Sequence, residues 1–229
     1  MASIQGAPPQ GRRPSTWKRR LADTRLFDFY RRLRAPWELR LWKQGRLAYP
    51  PPLFKQRLVG ELGRRFRIPT LIETGTFFGD MLWAHRRSFR RLVSVELDPW
   101  LFERALRRFA REPGIEILHG DSAEALPDLV RRLDGPCLFW LDAHAMIGGV
   151  RGPRTTPIRE ELAAILAADL PGSVILIDDV RLFTGAGDYP PLDEVRARLS
   201  EGLPRFRIEV REDVLCCYDP VSEDTKRHS

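Results

Sequence analysis

The stretch Thr70-Leu71-Ile72-Glu73-Thr74-Gly75-Thr76-Phe77-Phe78-Gly79-Asp80 begins as a short apolar run, passes an acid and two glycines four residues apart, and enters a helix-compatible segment, residues 81–89. It reads as a strand, a tight turn and a helix. Glycine reaches φ > 0 and carries no Cβ, so such a turn lets backbone approach a ligand closely. The helix that follows offers unpaired N–H groups at its start, and a nucleotide-like cofactor suits such a place. The dinucleotide fingerprint G-x-G-x-x-G is not met, because Glu73, Gly75 and Gly79 spell E-x-G-x-x-x-G. A plain strand-to-helix connection, with glycine present for geometry alone, is the competing reading.

Downstream, apolar runs and helix-compatible segments alternate, the pattern of an open α/β sheet. Residues 91–96 form a second predicted strand, followed by a helix over 99–111. Residues 115–119 form a third, followed by a helix over 123–132. Residues 137–141 and 173–177 are the fourth and fifth. Between these two lie a glycine-rich loop, 148–156, and a helix with Thr156 as its N-cap and Pro157 at its first position. Residues 206–211 and 214–218, separated by Glu212-Asp213, read as a closing hairpin. No internal repeat is present.

Upstream, residues 1–16 have little to bury and read as a disordered basic tail. Leu21, Phe27, Tyr30, Leu33, Trp37 and Leu41 recur at helical spacing with arginines between them, predicting one or two amphipathic helices broken near Pro36. Their aromatic residues can line an acceptor pocket or pack the segment against the sheet. Pro50-Pro51-Pro52 makes a stiff elbow, and residues 53–66 resume helical periodicity. The expected organisation is therefore a tail (1–16), a basic helical appendage (17–68), a sheet domain (69–218) and a frayed tail (219–229).

A chain of 229 residues suits one core with an appendage better than two domains. No apolar run approaches the roughly 18–20 residues a bilayer span requires, and residues 1–14 lack the apolar segment of a signal peptide. Cys137, Cys216 and Cys217 form neither a disulfide framework nor a zinc spacing, which fits a reducing cytoplasm. The net charge of +7 is uneven: residues 1–69 hold 17 basic and 4 acidic side chains, leaving the remainder at −6. Such a segment can attract nucleic acid, anionic lipid or an acidic partner, but a solvated arginine-rich helix face is commoner.

In an open α/β sheet, ligands collect at the carboxyl ends of the strands near the switch in strand order. Each predicted parallel strand ends in acid: Glu73, then Glu96, then Asp121-Ser122 after Gly120, then Asp142-Ala143-His144, then Asp178-Asp179. Glu96 stands 21 residues after Gly75, where a carboxylate can accept both ribose hydroxyls. Singly, each has a plainer role: Asp121 or Ser122 as an N-cap, Glu96 in a turn with Asp98, and Asp178-Asp179 as a solvated strand end. Together they place a carboxylate at every strand end on one edge.

These ordered segments, Glu73-Thr-Gly-Thr-Phe-Phe-Gly79, Ser94-Val-Glu96-Leu-Asp98, Gly120-Asp-Ser122, Phe139-Trp-Leu-Asp142-Ala-His144 and Ile175-Leu-Ile-Asp178-Asp179, resemble the motifs of class I S-adenosylmethionine-dependent methyltransferases. The nearest group is the metal-dependent small-molecule O-methyltransferases of the catechol and macrolide-sugar type. The resemblance spans residues 69–218 and omits the basic N-terminal segment. It implies a Rossmann-like sheet of five parallel strands plus a C-terminal antiparallel hairpin, with helices on both faces. It also implies S-adenosylmethionine held by Glu73, Thr74, Gly75, Thr76, Gly79, Asp80, Glu96, Leu97, Asp121, Ser122 and Asp142. Asp142, Asp178 and Asp179 would hold a divalent cation, and three hard oxygen donors suit Mg²⁺. The lysine that catechol-type enzymes carry shortly after the strand-four acid is missing, since Ala145, Met146 and Ile147 follow. Asp142 and His144 remain as the catalytic candidates.

The implied reaction is methyl transfer to a hydroxyl of a small polar acceptor. An RNA methyltransferase recruited through the basic segment, and a non-catalytic nucleotide-binding protein on the same fold, are the alternatives. Homo-oligomerisation is left open.

Overall fold

The predicted runs become strands of a single sheet whose central members bury side chains on both faces, while the two edge strands are only partly covered. In chain order the strands are β1 (Thr70–Thr74), β2 (Arg91–Glu96), β3 (Ile115–His119), β4 (Cys137–Leu141), β5 (Val174–Ile177), β6 (Arg207–Arg211) and β7 (Val214–Tyr218). The structure, a computed structural model, describes residues 24–142, 155–168 and 170–223. The predicted tail 1–16, the start of the predicted appendage (17–23), residues 143–154 with His144 and most of the predicted loop 148–156, and residues 224–229 lie outside the described residues. Strand order is β3-β2-β1-β4-β5-β7-β6. The first five strands pair in parallel, and β7 runs antiparallel to both β5 and β6. The Rossmann-like sheet with a closing hairpin is thus present, and its order reverses between β1 and β4.

Alternate residues of the strands feed two separate cores, as a pleated strand requires. Leu71, Leu138, Trp140, Leu176 and Tyr218 point to one face. There they meet α2 (Pro52–Arg65), α3 (Asp80–His85) and α4 (Pro99–Phe109) through Leu58, Val59, Leu62, Leu82 and Phe109. Ile72, Val93, Phe139 and Ile175 point to the other. They meet α5 (Ser122–Val130), α6 (Ile158–Ala167) and α7 (Leu192–Gly202) through Leu126, Leu129, Leu162, Ile165 and Leu199. Each of these fully buried side chains contributes about 1.5–3 kcal/mol before the entropy of ordering is charged against it.

Helix α1 (Arg25–Lys43) starts at Thr24, whose hydroxyl accepts from the Phe27 amide at 3.2 Å. The expected break at Pro36 does not occur: one helix runs through it. Proline removes the donor that Arg32 C=O would use, but both residues are exposed, so water can serve that carbonyl. The aromatic residues of α1 divide. Phe27 packs on Phe78 (ring centroids 5.3 Å apart) and Trp42 on Phe54 (4.9 Å), whereas Phe29, Tyr30 and Trp37 are exposed, as is Leu33 among them.

Three further boundaries differ from expectation. Helix α3 ends at His85 rather than continuing to 89. The amides of Ser88 and Phe89 turn back to the His85 carbonyl so that Arg90 can bond Pro69 and Arg91 can pair with Thr70 in the sheet. Helix α6 begins at Ile158, with Pro157 in the cap position predicted for Thr156, and Thr156 is buried. Helix α7 has no counterpart in the sequence reading. Its apolar Leu192, Val195 and Leu199 are spaced for a helix, and the last two are buried.

Candidate active site

Strand register decides which acids meet. Leu141 pairs with Thr74 on one side and Ile177 on the other, so the next residues, Asp142 and Asp178, emerge side by side. Their amides continue the ladders: Asp142 N bonds Thr74 O at 3.1 Å, and Asp178 N bonds Leu141 O at 3.0 Å. Across β1 and β2, Gly75 N bonds Val95 O at 2.9 Å, which brings Glu96 level with the glycine turn. Glu73, Glu96, Asp121, Asp142, Asp178 and Asp179 therefore lie along the carboxyl edge of the sheet, on both sides of the switch between β1 and β4.

The turn itself is held by its own residues. Gly75 and Gly79 have φ of 86° and 74°, and Phe77 between them has φ of 50°, a costly conformation for an aromatic residue. Phe77 N donates to Glu96 Oε2 at 2.8 Å, and Asp98 N donates to Glu96 Oε1 at 2.9 Å. Thr76 and Ser94 hydroxyls lie 2.7 Å apart, and the Ser94 hydroxyl donates to Glu73 Oε2 at 2.6 Å. Burial raises the Glu73 carboxyl well above its ordinary value, only partly offset by that hydroxyl, with Asp142 and Glu96 adding to the rise. Burial also raises Glu96, against the pull of the two amides. Thr74 is buried at the end of β1, and Leu97 is half-buried after Glu96.

Other expected cofactor residues also have structural roles. Asp80 pairs with Arg31 of α1 at 2.8 Å and Arg108 of α4 at 3.0 Å. Burial would raise its carboxyl, but these two guanidinium groups outweigh it and hold it below the usual range. Gly79 is explained by packing, because a Cβ built on it would stand 2.7 Å from the Phe109 ring. Asp121 caps α5, accepting from Ala123 N at 2.9 Å, and Ser122 is buried beside it.

Asp142, Asp178 and Asp179 form one cluster, each offering a carboxylate oxygen within 4.8 Å of the others. Asp179 takes a left-handed conformation, φ 55°, and its amide donates to Asp178 Oδ1 at 2.8 Å. That bend aims both neighbouring carboxylates the same way, although successive strand residues would face apart.

Four residues that sequence reasoning missed complete the cluster. Lys55, on α2, donates from Nζ to Asp178 Oδ2 and, at 3.2 Å, to Asp179 Oδ1. Burial alone would lower its pKa, but Asp178, Asp142 and Asp179 together hold it above the ordinary value, so the ammonium keeps its proton. Arg181 binds Asp179 at 2.7 Å, also reaches Asp213, and lies 4.0 Å over the Tyr49 ring. Tyr189 lines the same cleft; burial, then Asp179 and Asp142, push its phenol up to about 12. Glu161, fully buried on α6, also lines it, and burial pushes its carboxyl up to about 7 against the pull of Ser122 and Thr74. Burial likewise raises the Asp178 carboxyl, with Asp142 adding to the rise and the Lys55 ammonium pulling it back. Lys55 did carry a signal, since it stands three and four residues before buried Leu58 and Val59 and so extends the buried stripe of α2.

No protein-family model matches the chain, and no curated protein matches it in sequence. Solved structures do match. The O-methyltransferase from Bacillus cereus, in complex with S-adenosylhomocysteine, aligns over 75% of this chain and 84% of its own, at 17% identity and a TM-score of 0.53. The O-methyltransferase TomG from Streptomyces achromogenes, involved in tomaymycin synthesis and solved with S-adenosylmethionine, aligns over 81% and 87%, at 24% identity and 0.53. The S-adenosylhomocysteine-bound methyltransferase PaMTH1 from Podospora anserina aligns over 95% and 99%, at 17% identity and 0.54. With the strand order and the switch at β1 and β4, these likenesses show that the chain has the class I S-adenosylmethionine-dependent methyltransferase fold, as small-molecule O-methyltransferases do.

Proposed function

We propose that this chain is an S-adenosylmethionine-dependent methyltransferase acting on a hydroxyl of a small polar acceptor, with a divalent cation, Mg²⁺ on this reading, at the acid cluster. The observation that carries the reading is the shared edge: Glu73, Glu96 and Asp121 on one side of the switch, Asp142, Asp178 and Asp179 on the other, where this fold class collects ligands. The chemistry of the residues fits. The Glu96 carboxylate stands at the glycine turn, in place to receive ribose hydroxyls. Three oxygen donors within 4.8 Å of one another form a hard donor set of the kind Mg²⁺ takes.

Bound S-adenosylmethionine supplies a methyl group already activated on sulfur, and a bound divalent ion supplies charge that lowers the pKa of a coordinated hydroxyl. The chain's own work is alignment, which turns a bimolecular step into a nearly unimolecular one. With the cofactor bound, the carbon–oxygen bond would form as the carbon–sulfur bond breaks, and the acceptor's proton would leave to a base at the cluster, a role we assign to Asp142, with His144 beside it in sequence. Arg181 holds Asp179 in place, and before an ion enters Lys55 holds both Asp178 and Asp179. The remaining expected residues, Thr74, Gly75, Thr76, Gly79, Leu97 and Ser122, shape the cofactor's bed, and Asp80 joins them through its place at the start of α3.

Calorimetry with S-adenosylhomocysteine tests the cofactor half: the wild type binds, and Glu96→Ala weakens binding roughly tenfold or more. Incubation with labelled S-adenosylmethionine and fractionated hydroxylated metabolites tests the reaction. Absence of cofactor binding in the wild type would overturn the proposal.

A further inference from the structure

The acid cluster already contains a cation supplied by the protein. Lys55 reaches it from α2, 123 residues before Asp178 in sequence, and its ammonium hydrogen-bonds both members of the Asp178-Asp179 pair. Asp142 is close enough to act on the same ammonium. The side chain is largely buried, as are Asp178 and Asp179. Arg181 differs: it meets Asp179 from the side it shares with Asp213 and has no ion pair with Asp178 among the described residues.

An ion and this ammonium cannot share the cluster. Mg²⁺ draws its oxygen ligands to about 2.0–2.1 Å. Lys55 already bonds one oxygen of each carboxylate, Asp178 Oδ2 and Asp179 Oδ1. An ion seated among them would stand within roughly 3–4 Å of Nζ, where like charges in a poorly solvated site repel by several kcal/mol. Resting on the reading of the cluster given above, we propose that Lys55 is the resident cation of the Asp142-Asp178-Asp179 cluster and that a divalent ion binds there only by displacing its ammonium. Because Lys55 belongs to a helix whose Leu58, Val59 and Leu62 are core residues, displacement is a swing of the side chain with α2 left in place. The cation preference of the cluster is thereby set by a residue outside the strand-end motifs.

Mn²⁺ titration followed by electron paramagnetic resonance of the unbound ion measures this without any turnover. Lys55→Met binds Mn²⁺ at least about tenfold more tightly than the wild type, whereas Lys55→Arg, which keeps the charge, stays within a few-fold of it. Equal affinity in wild type and Lys55→Met overturns the proposal, and so does an absence of Mn²⁺ binding in all three. A measurement on the wild type covers the case in which Lys55→Met does not fold. Saturating Mn²⁺ should raise the acetylation of Lys55 by acetic anhydride, read by peptide mapping, relative to Lys43; unchanged reactivity overturns the displacement. S-adenosylhomocysteine calorimetry on the same samples keeps the two readings apart. Retained cofactor binding with no effect of Lys55 on Mn²⁺ sinks this inference alone, and loss of cofactor binding in the wild type sinks the methyltransferase proposal.

Discussion

Asp28 of α1 and Arg104 of α4 form an ion pair in which both side chains are nearly inaccessible. Asp28 Oδ2 also lies 3.5 Å from Arg108 Nε, and Arg104 donates to the Phe78 carbonyl at 2.9 Å. The pair fastens the N-terminal helix to the glycine turn and the helix after β2. Removing one member of a buried pair leaves an uncompensated charge and costs about 3–5 kcal/mol. Asp28→Ala should therefore lower the urea-unfolding free energy by that amount, with Asp28→Asn intermediate. A loss below about 1 kcal/mol, the range of exposed pairs, would show that α1 is not held this way.

Gly79 is predicted to be intolerant of alanine for two separable reasons. Its φ of 74° strains any residue with a Cβ, and that Cβ would stand 2.7 Å from the Phe109 ring. The conformational part is about 1–2 kcal/mol and the overpacking part about 1–3 kcal/mol. Phe109→Leu in the same chain should relieve the second part only. Thermal unfolding of both single variants and the double variant then gives a favourable coupling; strict additivity would show that the ring moves aside without cost.

The strands were legible because parallel strands carry apolar runs: β4 and β5 are continuous ones, β1 centres on Leu71-Ile72, and in β2 and β3 a single polar residue, Ser94 or Glu116, interrupts the run. Glu73, Glu96, Asp142 and Asp178 were legible because each follows an apolar residue of its strand directly, and Asp121 because it stands two residues past β3. Residues brought in by helices were not. Lys55 and Glu161 stand in amphipathic segments where a charge ordinarily marks the solvated face, and Lys55 alone carried a counter-signal, its spacing to Leu58 and Val59. Helix α7 was hidden for a local reason: Pro190-Pro191 and a mixed-charge stretch surround the Leu192, Val195 and Leu199 spacing. At Pro36 the local cost of proline in a helix, about 3 kcal/mol, is offset by burial of Leu39 and the packing of Trp42 against Phe54. Gly79 was located correctly in a turn, but the Phe109 contact that demands glycine comes from a helix 30 residues away.

Glu161 should make the protein less stable as pH rises. Its carboxyl, with an ordinary value of 4.5, is pushed up to about 7 by burial, and among the described residues its Oε1 has no hydrogen-bond partner. Between those pH values the folded protein holds a proton that the unfolded chain has released. Its stabilising contribution is complete below 4.5 and is lost as pH passes 7, by about 3 kcal/mol. Glu161→Gln stays neutral throughout, so its stability relative to wild type should improve from pH 4.5 to pH 8 by that amount in urea titrations. A pH-independent difference would show that Glu161 is ionised in the folded state.

His85 acts in the opposite sense over nearly the same range. Its Nε2 lies 3.0 Å from the Gln56 carbonyl oxygen, which can only accept, so Nε2 carries the hydrogen and Nδ1 is the bare nitrogen. That Nδ1 is buried with no hydrogen-bond partner among the described residues, and the ring packs against Gly60 and edge-on to Phe89. A second proton would place a donor where no acceptor waits, and burial lowers the imidazole from 6.5 to about 4. Between these values the unfolded chain binds a proton that the folded protein does not. The contribution is therefore complete above 6.5 and is lost by about 3 kcal/mol as pH falls to 4. His85→Gln retains a donor for Gln56 but cannot titrate, so the wild type's advantage over this variant should shrink steadily between pH 6.5 and pH 4. An NMR titration of the His85 ring showing a midpoint near 6.5 in the folded protein would refute the assignment.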